Sequence, residues 1–172
     1  MLLPVMALAQ TNVEKNSVTL RGGYSSWNGL NGTSLSVQYC RHLNNHFGIV
    51  GEVSSLNGVE KCVDPWLRES FYGTALTAGG HFHALLYGKL RIGADISAGA
   101  LFYTTTYAYI IPNGVPDVTQ DRWWWLAHCN VDLTYQVAEK VGIGITVGRS
   151  LLKPLKEVET FGSLGLGVIL AL

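Results

Sequence analysis

The sequence predicts an all-β chain, an antiparallel up-and-down transmembrane β-barrel of about eight strands, on three observations. An apolar residue stands at every second position through consecutive segments, the charges of those segments keep to the other phase, and the connections alternate in length. The alternation is clearest at Leu90, Ile92, Ala94, Ile96, Ala98, Ala100 and Phe102, interleaved with Arg91, Gly93, Asp95, Ser97, Gly99, Leu101 and Tyr103. A period of two belongs to strands, because successive side chains leave opposite faces of the pleat. Apolar residues outside and charges inside suit a closed sheet in hydrocarbon, which satisfies neither charges nor an open backbone edge.

Composition agrees. The 172 residues fit one domain, and a formal net charge of +0 gives no electrostatic ground for a nucleic-acid partner. Charged residues make up 14%, against the usual quarter or so, and glycines number 20. No apolar run reaches the roughly 18 residues of a spanning helix.

From the N-terminus, Met1 to Ala9 reads as the truncated remnant of a secretory signal: Ala7-Leu8-Ala9 fits a cleavage site, though no Lys or Arg precedes the apolar stretch. Residues 10–172 are then a single exported barrel domain. The expected strands are Ser17 to Trp27, Thr33 to Leu43, Phe47 to Leu56, Phe71 to Leu85, Leu90 to Tyr109, Trp123 to Val137, Val141 to Leu151 and Phe161 to Leu172. Most reach the 9 to 11 or so residues that cross a bilayer at a tilt. Asn44-Asn45-His46, Tyr87-Gly88-Lys89 and Ala138-Glu139-Lys140 are tight turns, whereas Asn57 to Ser70, Ile110 to Arg122 and Leu152 to Thr160 are long loops. Pro65, Pro112, Pro116 and Pro154 all fall in loops, where no ladder donor is lost. Parity across three-residue turns pairs Gln38 with Glu52, His81 with Asp95 and His128 with Ser150.

The outward phase carries Val18, Leu20, Ile49, Leu76, Ile96, Val131, Ile145 and Leu166, with no charge near its middle. Arg41 and Arg149 share that phase near strand ends, where their heads reach the interface. Aromatic residues gather at the same ends: Tyr24, Trp27, Tyr72, Trp123, Trp124 and Trp125 on the long-loop side, Tyr39 and Tyr135 on the tight-turn side. Both groups are read as interface girdles. The inward phase holds Arg21, Gln38, His42, Glu52, His81, His83, Arg91, Asp95, His128, Asn130 and Asp132 among glycines. About eight strands enclose only enough room for side chains, so these groups are expected to form a self-satisfied polar network. Cys40, Cys62 and Cys129 are read as free thiols, since Cys40 and Cys129 fall on opposite faces of the wall.

Two constellations bear on chemistry. His81 and His83 leave one face beside Asp95, a set able to hold zinc or pass protons, but the reading taken is a satisfied core with no metal and no cofactor. His128 and Ser150, with Asp132 or Asn130 nearby, superficially match a serine, histidine and acid arrangement and are secondary catalytic candidates.

Arg41-His42-Leu43-Asn44-Asn45-His46-Phe47-Gly48-Ile49 and Val137-Ala138-Glu139-Lys140-Val141-Gly142-Ile143-Gly144 each combine a strand, a tight polar turn and a return strand. In these segments the chain resembles the small outer-membrane β-barrel proteins, the OmpX-like and OmpA-like eight-stranded barrels, over roughly Ser17 to Leu172. The resemblance implies a place in the outer membrane of a Gram-negative-type cell. It also implies lipid and lipopolysaccharide as surroundings, and the outer-membrane assembly machinery as a partner. The last strand ends in Leu172, where such barrels commonly end in an aromatic. Outer-membrane lipid A deacylases carry histidine and serine two residues apart on one strand, whereas here Asn130 stands two after His128. The expected function is therefore non-enzymatic: a monomer with a structural or surface-interaction role through its external loops, where Glu60, Lys61, Asp64, Trp66 and Arg68 offer contacts. A lipid-modifying enzyme and a narrow porin-like channel are the alternatives.

Overall fold

The computed structural model describes residues 15–27, 30–60, 67–109, 118–153 and 159–172. The signal remnant, Lys61, Cys62, Asp64, Trp66 and the four loop prolines lie outside them, as do the side chains of Trp27, Glu60 and Arg68. Eight strands follow in order: β1 (Asn16–Trp27), β2 (Leu30–His42), β3 (Phe47–Glu60), β4 (Leu67–Tyr87), β5 (Leu90–Tyr109), β6 (Val118–Ala138), β7 (Val141–Lys153) and β8 (Glu159–Ala171). Each pairs antiparallel with its sequence neighbours, and β1 pairs with β8 to close the barrel. Closure leaves no edge along the wall, which is how a sheet survives in hydrocarbon.

The tight connections set the register. At β2–β3, Asn44 Oδ1 accepts from the backbone N–H groups of His46 (2.9 Å) and Phe47 (2.8 Å), the side chain standing in for a backbone turn. At β4–β5 the turn is Gly88-Lys89, with Gly88 at φ +55°, a conformation glycine adopts without steric cost. At β6–β7 it is Glu139-Lys140. Two of the expected three-residue turns are thus two-residue turns, each with a register shift just inside it, at Leu85/Tyr87 and Gln136/Ala138. One bulged residue restores the parity that a three-residue turn would have given. The expected pairs consequently hold: Gln38 faces Glu52, His81 faces Asp95, and His128 faces Ser150.

The two phases separate sharply. Ile96 is 72% exposed on the outer wall while its neighbour Asp95 is 1% exposed in the lumen. Tyr24, Tyr39, Tyr72, Trp123, Trp125 and Tyr135 all face outward. Trp124 does not: its ring lies 4.8 Å from that of Tyr103, packed against the interior apolar cluster. In a run of three tryptophans on one strand the middle one must face the other way, so Trp124 belongs to the core rather than the girdle.

β4, β5 and β6 extend 21, 20 and 21 residues, against 12 for β1 and 13 for β8. At about 3.3 Å per residue and a tilt near 45°, 21 residues rise roughly 50 Å and 12 roughly 30 Å, the thickness of a hydrocarbon core. The excess lies at the long-loop end. Among the described residues Leu67–Glu69 pair only with β5, and β6 pairs with β7 only from Trp125 inward, so β4, β5 and β6 continue as a three-stranded sheet past the described ends of their neighbours.

Candidate functional site in the lumen

The lumen divides into two halves. Toward the long loops it is filled by Leu56, Phe71, Ala75, Leu101, Tyr103, Leu126, Leu152 and Phe161, all buried. These sit in the inward phase, which at this end carries an apolar cluster in place of the polar network expected of the lumen. The signal was present in the sequence: Leu101-Phe102-Tyr103, Trp123-Trp124-Trp125-Leu126 and Leu151-Leu152 break the alternation with apolar runs, and a strand apolar on both faces is covered on both.

Toward the tight turns the lumen is polar, and Arg21 organises it. Its Nη1 donates to Glu52 Oε2 at 3.0 Å and its Nη2 to Gln38 Oε1 at 2.7 Å, with Asp95 Oδ2 at 3.5 Å. Gln38 Nε2 donates to the same Asp95 oxygen at 2.9 Å, and His81 Nδ1 lies 2.5 Å from Asp95 Oδ1. Arg21, Gln38 and His81 therefore meet around the Asp95 carboxylate, and Glu52 joins them through Arg21. Arg91 stands apart, donating to Gln136 at 3.4 Å. Asn130 is buried beside Gly148, its Oδ1 filling the space of the missing Cβ. His42 bonds Ser17 Oγ at 3.2 Å and sits 3.8 Å from Cys40 Sγ. Both described cysteines are free, Cys40 inside and Cys129 outside.

His83 differs from the satisfied core histidine expected: it is buried, and neither ring nitrogen has a partner among the described residues. Asp132 accepts from Thr134 Oγ1 at 3.1 Å through one oxygen, and its Oδ1 has none. Below these groups a chamber of about 460 Å³ is lined by His42, His81, His83, Arg91, Asp132 and Glu139 and runs to the tight-turn mouth.

His128 and Ser150 do meet, Nδ1 to Oγ at 2.6 Å, at the boundary between the halves. Ser150 is 3% exposed and the pair faces the lumen rather than lipid. Asp132 stands four positions along the strand, roughly 13 Å at strand rise, and groups with His81 and Asp95 instead. The histidine and serine thus come together without that acid.

The fold defines an eight-stranded barrel of outer-membrane type, closed by apolar side chains in its long-loop half and open to a polar chamber in the other. Among solved structures the chain is similar to neisserial surface protein A (TM-score 0.64, 11% identity, covering 92% of this chain and 97% of that one). A major outer membrane protein from Thermus thermophilus gives a TM-score of 0.62 at 10% identity, over 90% of this chain and 98% of that one. The attachment invasion locus protein Ail of Yersinia pestis gives 0.55 at 15% identity, over 90% and 95%. No family model matches the sequence, and no curated protein matches it.

Proposed function

We propose that this chain is an integral outer-membrane barrel that neither conducts solutes nor catalyses a reaction, and that presents the sheet of β4, β5 and β6 above the membrane for contact at the cell surface. One observation carries the reading: three strands outrun the membrane-spanning length while the lumen beneath them is closed by apolar side chains. A rigid sheet held clear of the bilayer is a platform, and a dry plug is no path for ions. The inward orientation of His128 and Ser150 speaks against acyl-chain chemistry, because the wall of β6 and β7 stands between them and lipid. Surface and attachment proteins among the similar folds agree with this role. With the tight turns in the periplasm, lipopolysaccharide surrounds the rim near Trp123 and Trp125, and the chain acts as a monomer delivered by the assembly machinery.

Two measurements test the proposal. Val118→Cys, in a chain whose own cysteines are changed to serine, is expected to react with a membrane-impermeant maleimide on intact cells. Reaction only after the envelope is opened would reverse the orientation. In planar bilayers the folded protein is expected to be silent, and discrete current steps would restore the channel reading.

A further inference from the structure

The inward positions of β4, β5 and β6 form two rows in the polar half. One row is His81, Asp95 and Asn130; the next, nearer the mouth, is His83, Gly93 and Asp132. Because Gly93 has no side chain, the centre of the second row is an open slot. The carboxylate of Asp132 leans into it, so a Cβ on Gly93 would lie 2.5 Å from Oδ1 and 2.8 Å from Oδ2. Around this slot one donor atom from each of His81, Asp95 and Asp132 falls within 4.8 Å of the others. His83 closes the remaining side, its ring stacked on His81 with centroids 5.3 Å apart.

Two of the four groups keep polar atoms that bond nothing among the described residues. His83 is 7% exposed with both nitrogens unbonded, and Asp132 is 8% exposed with Oδ1 unbonded. Among the described residues no basic side chain forms an ion pair with Asp132, since Arg21 is committed to Glu52 and Asp95. A buried carboxylate without a cation and a buried imidazole without a hydrogen bond are each unfavourable, and one cation in the slot relieves both.

The donors identify the cation. Imidazole nitrogens mixed with carboxylate oxygens suit borderline ions such as zinc, whereas calcium and magnesium take oxygen sets. Support behind the donors is in place, with Gln38 donating to Asp95 and Thr134 to Asp132, as metal ligands require. The chamber lined by His81, His83 and Asp132 supplies the entry path from the mouth. His42, although its ring is 4.9 Å from that of His83, is not among the donors that converge on the slot.

We propose that His81, Asp95 and Asp132 bind one divalent transition-metal ion of the zinc class inside the barrel, and that His83, stacked beside them but outside that 4.8 Å group, turns in as the fourth ligand. The site is separate from the surface sheet and does not depend on its role.

The test is a titration of the refolded, metal-stripped chain in detergent micelles with zinc chloride. One equivalent is expected to bind saturably and to raise the thermal midpoint as zinc increases. Asp132→Asn and His83→Gln are each expected to weaken binding by about tenfold or more, while His46→Gln and His128→Gln leave it unchanged. Folding of each variant is checked by heat-modifiable migration. Should a variant fail to fold, histidine resonances of the wild-type chain decide instead: zinc is expected to shift those of His81 and His83 and to leave those of His46 and His128 in place. Folded wild-type protein that takes up no zinc overturns the proposal. So does binding that survives both variants, or shifts confined to other histidines.

Discussion

The two halves of the lumen are built by the same eight strands with the same alternation, yet they solve the problem of a narrow interior by opposite means. The long-loop half packs Leu56, Phe71, Leu101, Leu126, Leu152 and Phe161 into a dry plug whose cohesion is non-directional and tolerant of small shifts. The tight-turn half depends on directed bonds, with Arg21, Gln38, Glu52, His81 and Asp95 each fixing another. Removal of one member therefore has different consequences in the two places. In the plug it leaves a cavity, whereas in the network it leaves a buried charge with no partner.

Arg21→Met should give the largest effect. It strands Glu52 and takes the arginine from Asp95, which keeps Gln38 and His81, and breaking a buried ion pair on one side costs about 3–5 kcal/mol. Denaturant titration of the barrel in vesicles reads this directly. The loss depends on the charge of the two carboxylates, so it is expected to shrink where acid protonates them. Leu101→Ala should cost about 3 kcal/mol by opening a cavity at a site 2% exposed, with no such pH dependence. A loss from Arg21→Met that is as indifferent to pH as that from Leu101→Ala would erase the distinction between the halves.

The sequence carried this contrast unevenly. Nearest-neighbour pairs such as His81 with Asp95 were legible, because parity and a short turn allow only one register. Contacts that skip strands were not: Arg21 reaches Glu52 across β2, and Gln38 reaches Asp95 across β3 and β4. Such bonds depend on how the sheet curves and how long side chains cross the lumen, quantities absent from any one strand's pattern. The plug was readable in principle, as the apolar runs at Trp123-Trp124-Trp125-Leu126 and Leu151-Leu152 break the alternation. The same run also fits a girdle of aromatic residues on the outer wall, and only strand alternation separates Trp124, which packs inside, from Trp123 and Trp125. The slot at Gly93 had no local signal, since a glycine becomes a site only through what its neighbours on β4 and β6 present to it.

The smallest effect should come from the boundary itself. Ser150 is 3% exposed and bonds His128, yet it sits two residues from Leu152, which is 1% exposed in the plug. Ser150→Ala removes the hydroxyl and leaves His128 Nδ1 without that partner, a loss of about 1 kcal/mol. His128→Leu made together with Ser150→Val removes both polar groups, so the pair should recover most of what either single change loses, with a coupling energy of about 0.5–1 kcal/mol. Full additivity would mean that the hydrogen bond contributes nothing and that the plug begins lower in the barrel. A single-variant loss as large as that of Leu101→Ala would mean instead that Ser150 belongs to the directed network, and that the polar half extends up to Leu152.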